Sequence, residues 1–361
     1  MNEYRKARLI LEDGTEYEGL SFGGDAPAAG EVVFNTAMTG YPENLSDPSY
    51  HGQILVSTYP LIGNYGVPPR TREHGLLAHF ESERVHVAGY VVAEYSREYS
   101  HWGAAQSLGD WLAACGVPGL CGIDTRALTK RLRERGTMLG KIVHDGQEIA
   151  WHDPNKANLV ESVSVRERAV YGTGRYTVVL VDCGAKNNII RCLLRRDTTV
   201  IRVPWDDDYS GEDYDGVLLS NGPGDPKACA ATIAVLKKAM ARGRPILGIC
   251  LGNQLLALAA GGDTFKLKYG HRSHNQPVLR AGSDRCYITA QNHGFATDPA
   301  SLGGEWEQLF VNANDGSCEG IRHRSLPFCA AQFHPEASGG PTDTEFVFDE
   351  FIGAMERWAG R

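Results

Sequence analysis

"PILGICLGNQLLALAAGG", residues 245–262, decides the fold. A short apolar run halts at Cys250, with a glycine two residues before it and another two residues after, and an apolar run of helical spacing follows. G-x-C-x-G is the cysteine form of a nucleophile elbow, in which a strand ends, the chain turns sharply and a helix begins. Side chains at 248 and 252 would collide in so tight a turn, so glycine suits both. The new helix aims its first N–H groups and its positive end at the sulfur, an arrangement that suits a nucleophile. Cys250 is then expected at the carboxyl edge of a sheet, where open α/β sheets bind ligands.

Outward from the elbow the pattern is regular from about Thr177. "TVVLVD" (177–182), "TTVIRVP" (198–204), "GVLLSN" (216–221) and "PILGIC" are short apolar runs separated by "NNIIRCLLRRD" and "CAATIAVLKKAMARG", which carry helical periodicity. Alternation of this kind predicts α/β architecture, a doubly wound and mostly parallel sheet. "CYITAQNH", "EGIRH" and "FCAAQF" read as later strands, with a closing helix near 343–358.

A nucleophilic sulfur needs a base, and the base needs an orienter. "QFHPEAS" supplies both: His334 follows the strand "FCAAQF" and Glu336 can turn back onto the imidazole after Pro335. "SNGPGDP" (220–226) follows another strand, and Gly224 N–H with Leu251 N–H would form an oxyanion hole. Taken singly, each motif reads as a turn. Their order along one α/β domain, each at a strand end, makes them a candidate site.

The first 150 residues read differently. "ARLILEDGTEYEGLSFG" predicts a hairpin turning at Asp13-Gly14, "VHVAGYVVAEY" a strand, and "DTRALTKRLRERG" a charged helix stopped by Gly136. The expected organisation is a separate mixed α/β domain over 1–150, a linker over 151–175 and the sheet domain over 176–361. The acidic stretch "WDDDYSGEDYD" (205–215) reads as a solvated loop.

A formal net charge of -8 argues against nucleic acid or an anionic membrane as partner. No apolar run approaches the roughly 20 residues that span a bilayer, and the start shows no secretory pattern. Nine scattered cysteines, an odd number, suit free thiols in a reducing cytoplasm. There is no C-x-x-C pair. His271 and His274 in "GHRSHNQP" have no carboxylate or cysteine nearby in sequence to complete a ligand set, so no metal is expected.

The motifs closely resemble a triad-type, class I glutamine amidotransferase. "GEVVFNTAMTGYPENLSDPSYHGQILVSTYPLIGNYG" (30–66), "GIDTRALTKRLRERG", "DCGAKNNIIR", "LLSNGPGDP", "GHRSHNQPV", "ITAQNHGFA" and "HPEASGGPTD" narrow the resemblance to the small, glutamine-hydrolysing subunit of carbamoyl-phosphate synthase. It covers nearly the whole chain. The resemblance implies Cys250, His334 and Glu336 as catalytic residues. It implies a glutamine pocket of Ser49, Gly222, Gly224, Leu251, Gln254, Asn292, Gly294 and Phe295, with His293 beside it. It further implies ammonia delivery to a large subunit that makes carbamoyl phosphate from bicarbonate and ATP, for arginine or pyrimidine biosynthesis, as a cytoplasmic heterodimer.

No G-x-x-x-x-G-K-[ST] is present, so ATP and Mg²⁺ are expected on that partner and no cofactor in this chain. Asn253 stands where many family members have histidine, and a tuning effect is expected of it. The competing readings are a catalytically silent regulatory scaffold, the amidotransferase subunit of another synthase, and a free-standing cysteine hydrolase.

Overall fold

A computed structural model describes residues 5–360. The chain divides into two units, residues 1–156 and 157–361.

The first unit is built on a closed barrel. In order round the barrel its strands are Lys6–Leu11, Met138–His144, Ala28–Asn35, Gln53–Ser57, Gly89–Val91, Pro118–Cys121 and Glu16–Gly23. Gly14 turns the expected hairpin with φ 83°, which glycine adopts without steric cost. Ala28–Asn35 is buried throughout, so its outward-facing residues, which alternate with those lining the barrel, are covered as well. Helix Thr125–Arg135 starts at Asp124, whose carboxylate accepts from Ala127 N, and stops at Gly136 with φ 102°.

The second unit holds a ten-stranded sheet. Thr198–Pro204, Tyr176–Asp182, Gly216–Leu219, Ile246–Ile249 and Phe328–Ala331 run parallel in that order. Val178 to Val181 and Val217 to Leu219 are fully buried, which is why these strands read as unbroken apolar runs rather than alternating ones. Helix Phe346–Ala359 packs closely on the sheet at Gly216, where a Cβ would lie 2.7 Å from Met355 Sδ.

Beyond Phe328–Ala331 the sheet turns antiparallel, with Cys318–His323, Cys286–Asp298, Asp263–Arg280 and Trp306–Asn312. The long strand Asp263–Arg280 and Trp306–Asn312 were not expected. Neither shows a regular two-residue alternation of burial, and the first pairs with Cys286–Asp298 through two register shifts that break its period.

The expected linker 151–175 needs correction. From Ala157 onward it belongs to the second unit, with a short helix Val160–Val163 and a strand, Ala169–Tyr171, that pairs with Thr198–Pro204. The acidic loop is not simply solvated either. Tyr209 and Tyr214 are buried in the core, and Asp207 and Glu212 both pair with Arg168. Among the described residues, no helix is long and apolar enough to cross a membrane.

Candidate active site

Strand Ile246–Ile249 lies parallel to Phe328–Ala331, with Ile249 opposite Ala331. Cys250 and the segment leading to His334 therefore leave the sheet at the same edge, and Cys250 N donates to Ala331 O at 2.8 Å. Cys250 itself has φ 54° and ψ -103°, a conformation L residues rarely adopt, and helix Leu251–Ala259 starts at once after it. The two glycines make this turn possible. A Cβ on Gly248 would lie 2.5 Å from Gly252 O, and one on Gly252 would lie 2.3 Å from Leu219 O.

The other buried thiols have ordinary backbones and no reason to react. Burial pushes Cys192, Cys229 and Cys329 up to about 12 and Cys318 up to about 11.

His334 and Glu336 are both fully buried, and His334 Nδ1 lies 2.7 Å from Glu336 Oε1. Lys186 Nζ lies 3.2 Å from that same carboxylate oxygen and 3.2 Å from His334 Nδ1. Two donors cannot bond each other, so Nδ1–H and the ammonium both donate to Glu336. This fixes the tautomer and leaves Nε2 as the basic nitrogen. Nε2 is buried and makes no hydrogen bond. Cys250 Sγ is directed instead at Asn292 O, 3.7 Å away.

Burial works against a charge on His334, and so does Lys186. Glu336 and the nearby Cys250 favour the charge and prevail, raising the imidazole to about 10. Burial likewise opposes charge on Glu336, but Lys186 and His334 hold its carboxyl down at about 2. Asn188 Nδ2 also donates to Glu336 O, anchoring the backbone of the orienting residue.

The other expected pocket residues fall into three groups. Gly222 stands against the elbow, where a Cβ on it would meet Leu251 Cδ2 at 2.7 Å, while Gly224, with φ 85°, faces Leu159. Leu251 opens its helix, so its N–H has no partner within that helix. Asn292, Gly294 and Phe295 lie on strand Cys286–Asp298, which reaches the sulfur through Asn292 O. Gln254 bridges to that strand, its Nε2 donating to Phe295 O at 2.9 Å and to Gln332 Oε1 at 3.1 Å. Ser49 lies in the other unit, buried in the turn Pro48–Tyr50, with its N–H donating to Asp47 Oδ1 at 2.9 Å.

Asn253 is fully buried and donates through Nδ2 to Thr297 Oγ1 and Gln332 Oε1, so it braces the elbow from behind. His293 is tied to its own strand, its Nδ1–H donating to Phe295 O at 2.7 Å, and its Nε2 lies 3.1 Å from Gln291 Oε1.

Two family models cover most of the chain. The model for the carbamoyl-phosphate synthase small chain, CPSase domain, matches residues 9–142, and that for class-I glutamine amidotransferase matches 179–354. The chain belongs to the carbamoyl-phosphate synthase small-chain family. Among its relatives, the multifunctional protein CAD of Squalus acanthias is 51% identical over 96% of this chain and 16% of its own length. The mitochondrial carbamoyl-phosphate synthase [ammonia] of Aquarana catesbeiana is 50% identical over 98% of this chain and 24% of its own length. The chain thus spans only about a sixth to a quarter of these relatives. Among solved structures, a glutamine amidotransferase from Thermotoga maritima is similar at 16% identity, covering 52% of this chain and 85% of that one with a TM-score of 0.38.

Within the amidotransferase domain, the sequence reading missed Lys186. The signal was present in "DCGAKNNIIR", where a lysine follows directly on an apolar strand end, but only the fold shows that it turns toward Glu336.

Proposed function

We propose that the chain hydrolyses glutamine at Cys250 and supplies the ammonia to a carbamoyl-phosphate synthase. The observation that carries this reading is the strained cysteine at a sheet edge beside an unengaged His334 Nε2, with Glu336 and Lys186 holding the far side of the ring.

In this reading Cys250 passes its proton to His334 Nε2 and the sulfur attacks the side-chain carboxamide carbon of glutamine. The carbonyl π pair moves to oxygen, where Leu251 N–H and Gly224 N–H receive the negative charge. As the tetrahedral adduct collapses, the C–N bond breaks and His334 gives its proton to the departing nitrogen, releasing ammonia and leaving a thioester. Water then attacks the thioester carbon while His334 accepts one of its protons. Collapse expels the sulfur and frees glutamate. Glu336 keeps Nδ1 protonated throughout and offsets the imidazolium charge.

Gln254, Asn292, Gly294, Phe295 and Gly222 would line the glutamine pocket. Bicarbonate and ATP with Mg²⁺ would be handled by a large synthase subunit, in the cytoplasm, toward arginine or pyrimidine synthesis. The names of the relatives support the pairing with synthase domains.

One preparation tests the reading. Cys250→Ala, assembled with the synthase partner, should make carbamoyl phosphate from ammonium salts at near wild-type rate and essentially none from glutamine. Loss of the ammonia-driven reaction, or survival of the glutamine-driven one, overturns it.

A further inference from the structure

A second cluster of ligating side chains lies in the antiparallel part of the sheet. His271 and His293 face each other across paired strands, rings 4.9 Å apart at 89°, and Glu319 comes to them from strand Cys318–His323. All three are buried, and one ligating atom from each falls within 4.8 Å of the others. The sequence offered no carboxylate to complete a set around His271; the fold brings one from 48 residues away.

The hydrogen bonds around these residues are arranged in two shells. His271 Nε2 lies 2.8 Å from Asp315 Oδ2, so its other nitrogen, Nδ1, is turned inward, 3.4 Å from Glu319 Oε1 and without a hydrogen bond. His293 Nδ1 lies 2.7 Å from Phe295 O, a contact only N–H can make, so the neutral ring carries a lone pair on Nε2. Glu319 is completely buried. Its Oε1 accepts from Asn312 Nδ2 at 2.8 Å, and its Oε2 has no partner. A buried carboxylate with one oxygen unpartnered is costly unless a cation faces it.

Gln291 adds to the demand for positive charge. Its Oε1 lies 3.1 Å from His293 Nε2, lone pair against lone pair. Turning the amide over would only move the conflict to the other end of the amide. Gln291 Nε2 now donates to Thr289 Oγ1 at 3.1 Å, and the Thr289 hydroxyl itself donates to Gln276 O at 2.9 Å. A flipped amide would set its oxygen against that hydroxyl oxygen instead.

We infer that His271 Nδ1, His293 Nε2 and Glu319 form a binding site for a divalent transition-metal cation of the zinc type, with Gln291 Oε1 available as a fourth ligand. Two imidazoles and a carboxylate are a ligand set zinc accepts. Each imidazole has its distal nitrogen held by an oxygen acceptor, a carboxylate for one and a backbone carbonyl for the other, as metal-bound histidines do. A tetrahedral site with bonds of about 2.1 Å has edges of about 3.4 Å, so the side chains close by roughly an ångström around the ion. His293 is next to Asn292, whose carbonyl faces Cys250, so the ion fastens the strand that carries the glutamine-facing residues. The rival occupant is a proton on His271 Nδ1, held by Glu319.

The test uses the full chain as Cys250→Ala, which removes the reactive thiol as a competing ligand. After dialysis against chelator, zinc is titrated by calorimetry and cobalt is followed through its visible absorption. One zinc per chain and a tetrahedral cobalt spectrum are expected. Glu319→Gln should weaken both by tenfold or more, while His274→Asn should leave them unchanged. If Glu319→Gln does not fold, Asp315→Asn serves in its place, since Asp315 is half-exposed and reaches the site through His271; about tenfold weakening is expected there. No bound metal, or unchanged affinity in the folded variant, leaves the proton as occupant and overturns the site.

Discussion

Lys186 and Glu336 form a buried ion pair, Nζ to Oε1 3.2 Å, on the side of the His334 ring away from Cys250. The ammonium stabilises the carboxylate and at the same time opposes a charge on the imidazole. Lys186 thus restrains how strongly His334 holds its proton.

Lys186→Met should therefore move the alkaline limb of glutamine hydrolysis to higher pH, because one opponent of the imidazolium has gone. The loss of kcat should be modest beside removal of a triad member, about tenfold. A pH profile of kcat reads this; a limb that moves to lower pH contradicts the assigned role.

His334→Asn should leave the fold intact and reduce glutamine turnover by about 10⁴ or more, as removal of a triad base does. Steady-state kinetics at neutral pH, with circular dichroism as the check on folding, decide it. Near-normal turnover removes His334 from the chemistry.

The buried pair also makes stability depend on pH. His334 is raised from 6.5 to about 10, so its contribution is whole below about pH 6.5 and is lost as pH rises through 10. Glu336 is lowered from 4.5 to about 2, so its contribution is present above about pH 4.5 and is lost as pH falls through 2. Thermal unfolding from pH 6 to pH 10 should show a larger fall of Tm in the wild type than in Glu336→Gln. Parallel curves would count against the coupling.

Gly252→Ala should destabilise the second unit by about 1–3 kcal/mol, since the new Cβ would lie 2.3 Å from Leu219 O, a backbone atom that cannot swing away. A shift of the elbow by an ångström should also cost about a hundredfold in kcat. Denaturant unfolding and a glutaminase assay on the same sample measure both; a neutral effect on both would mean that the turn is less constrained than its contacts indicate.

The parallel strands were legible because burial on both faces writes them as unbroken β-branched runs. The elbow was legible because its geometry permits so few residues. The strand Asp263–Arg280 was not, since two register shifts destroy its period. The barrel was read only as a mixed domain, because Gly89–Val91 and Pro118–Cys121 are too short to show any period. Within the site, Cys250, His334 and Glu336 follow strand ends and could be placed from sequence. Lys186 and Glu319 could not, because each acts on residues far away in the chain through contacts that only the sheet order creates.

The positive φ of Cys250 has a meaning for descent as well as for chemistry. A non-glycine residue held in such a conformation costs of order 1–3 kcal/mol, and a glycine there would recover much of it. If Cys250 is the nucleophile, selection for turnover would be what keeps a side chain at position 250. In any lineage where ammonia came from elsewhere, that restraint would lapse, and drift at this one codon could make the domain more robust as it fell silent. Cys250→Gly more heat-resistant than Cys250→Ala would be the laboratory trace of the same trade.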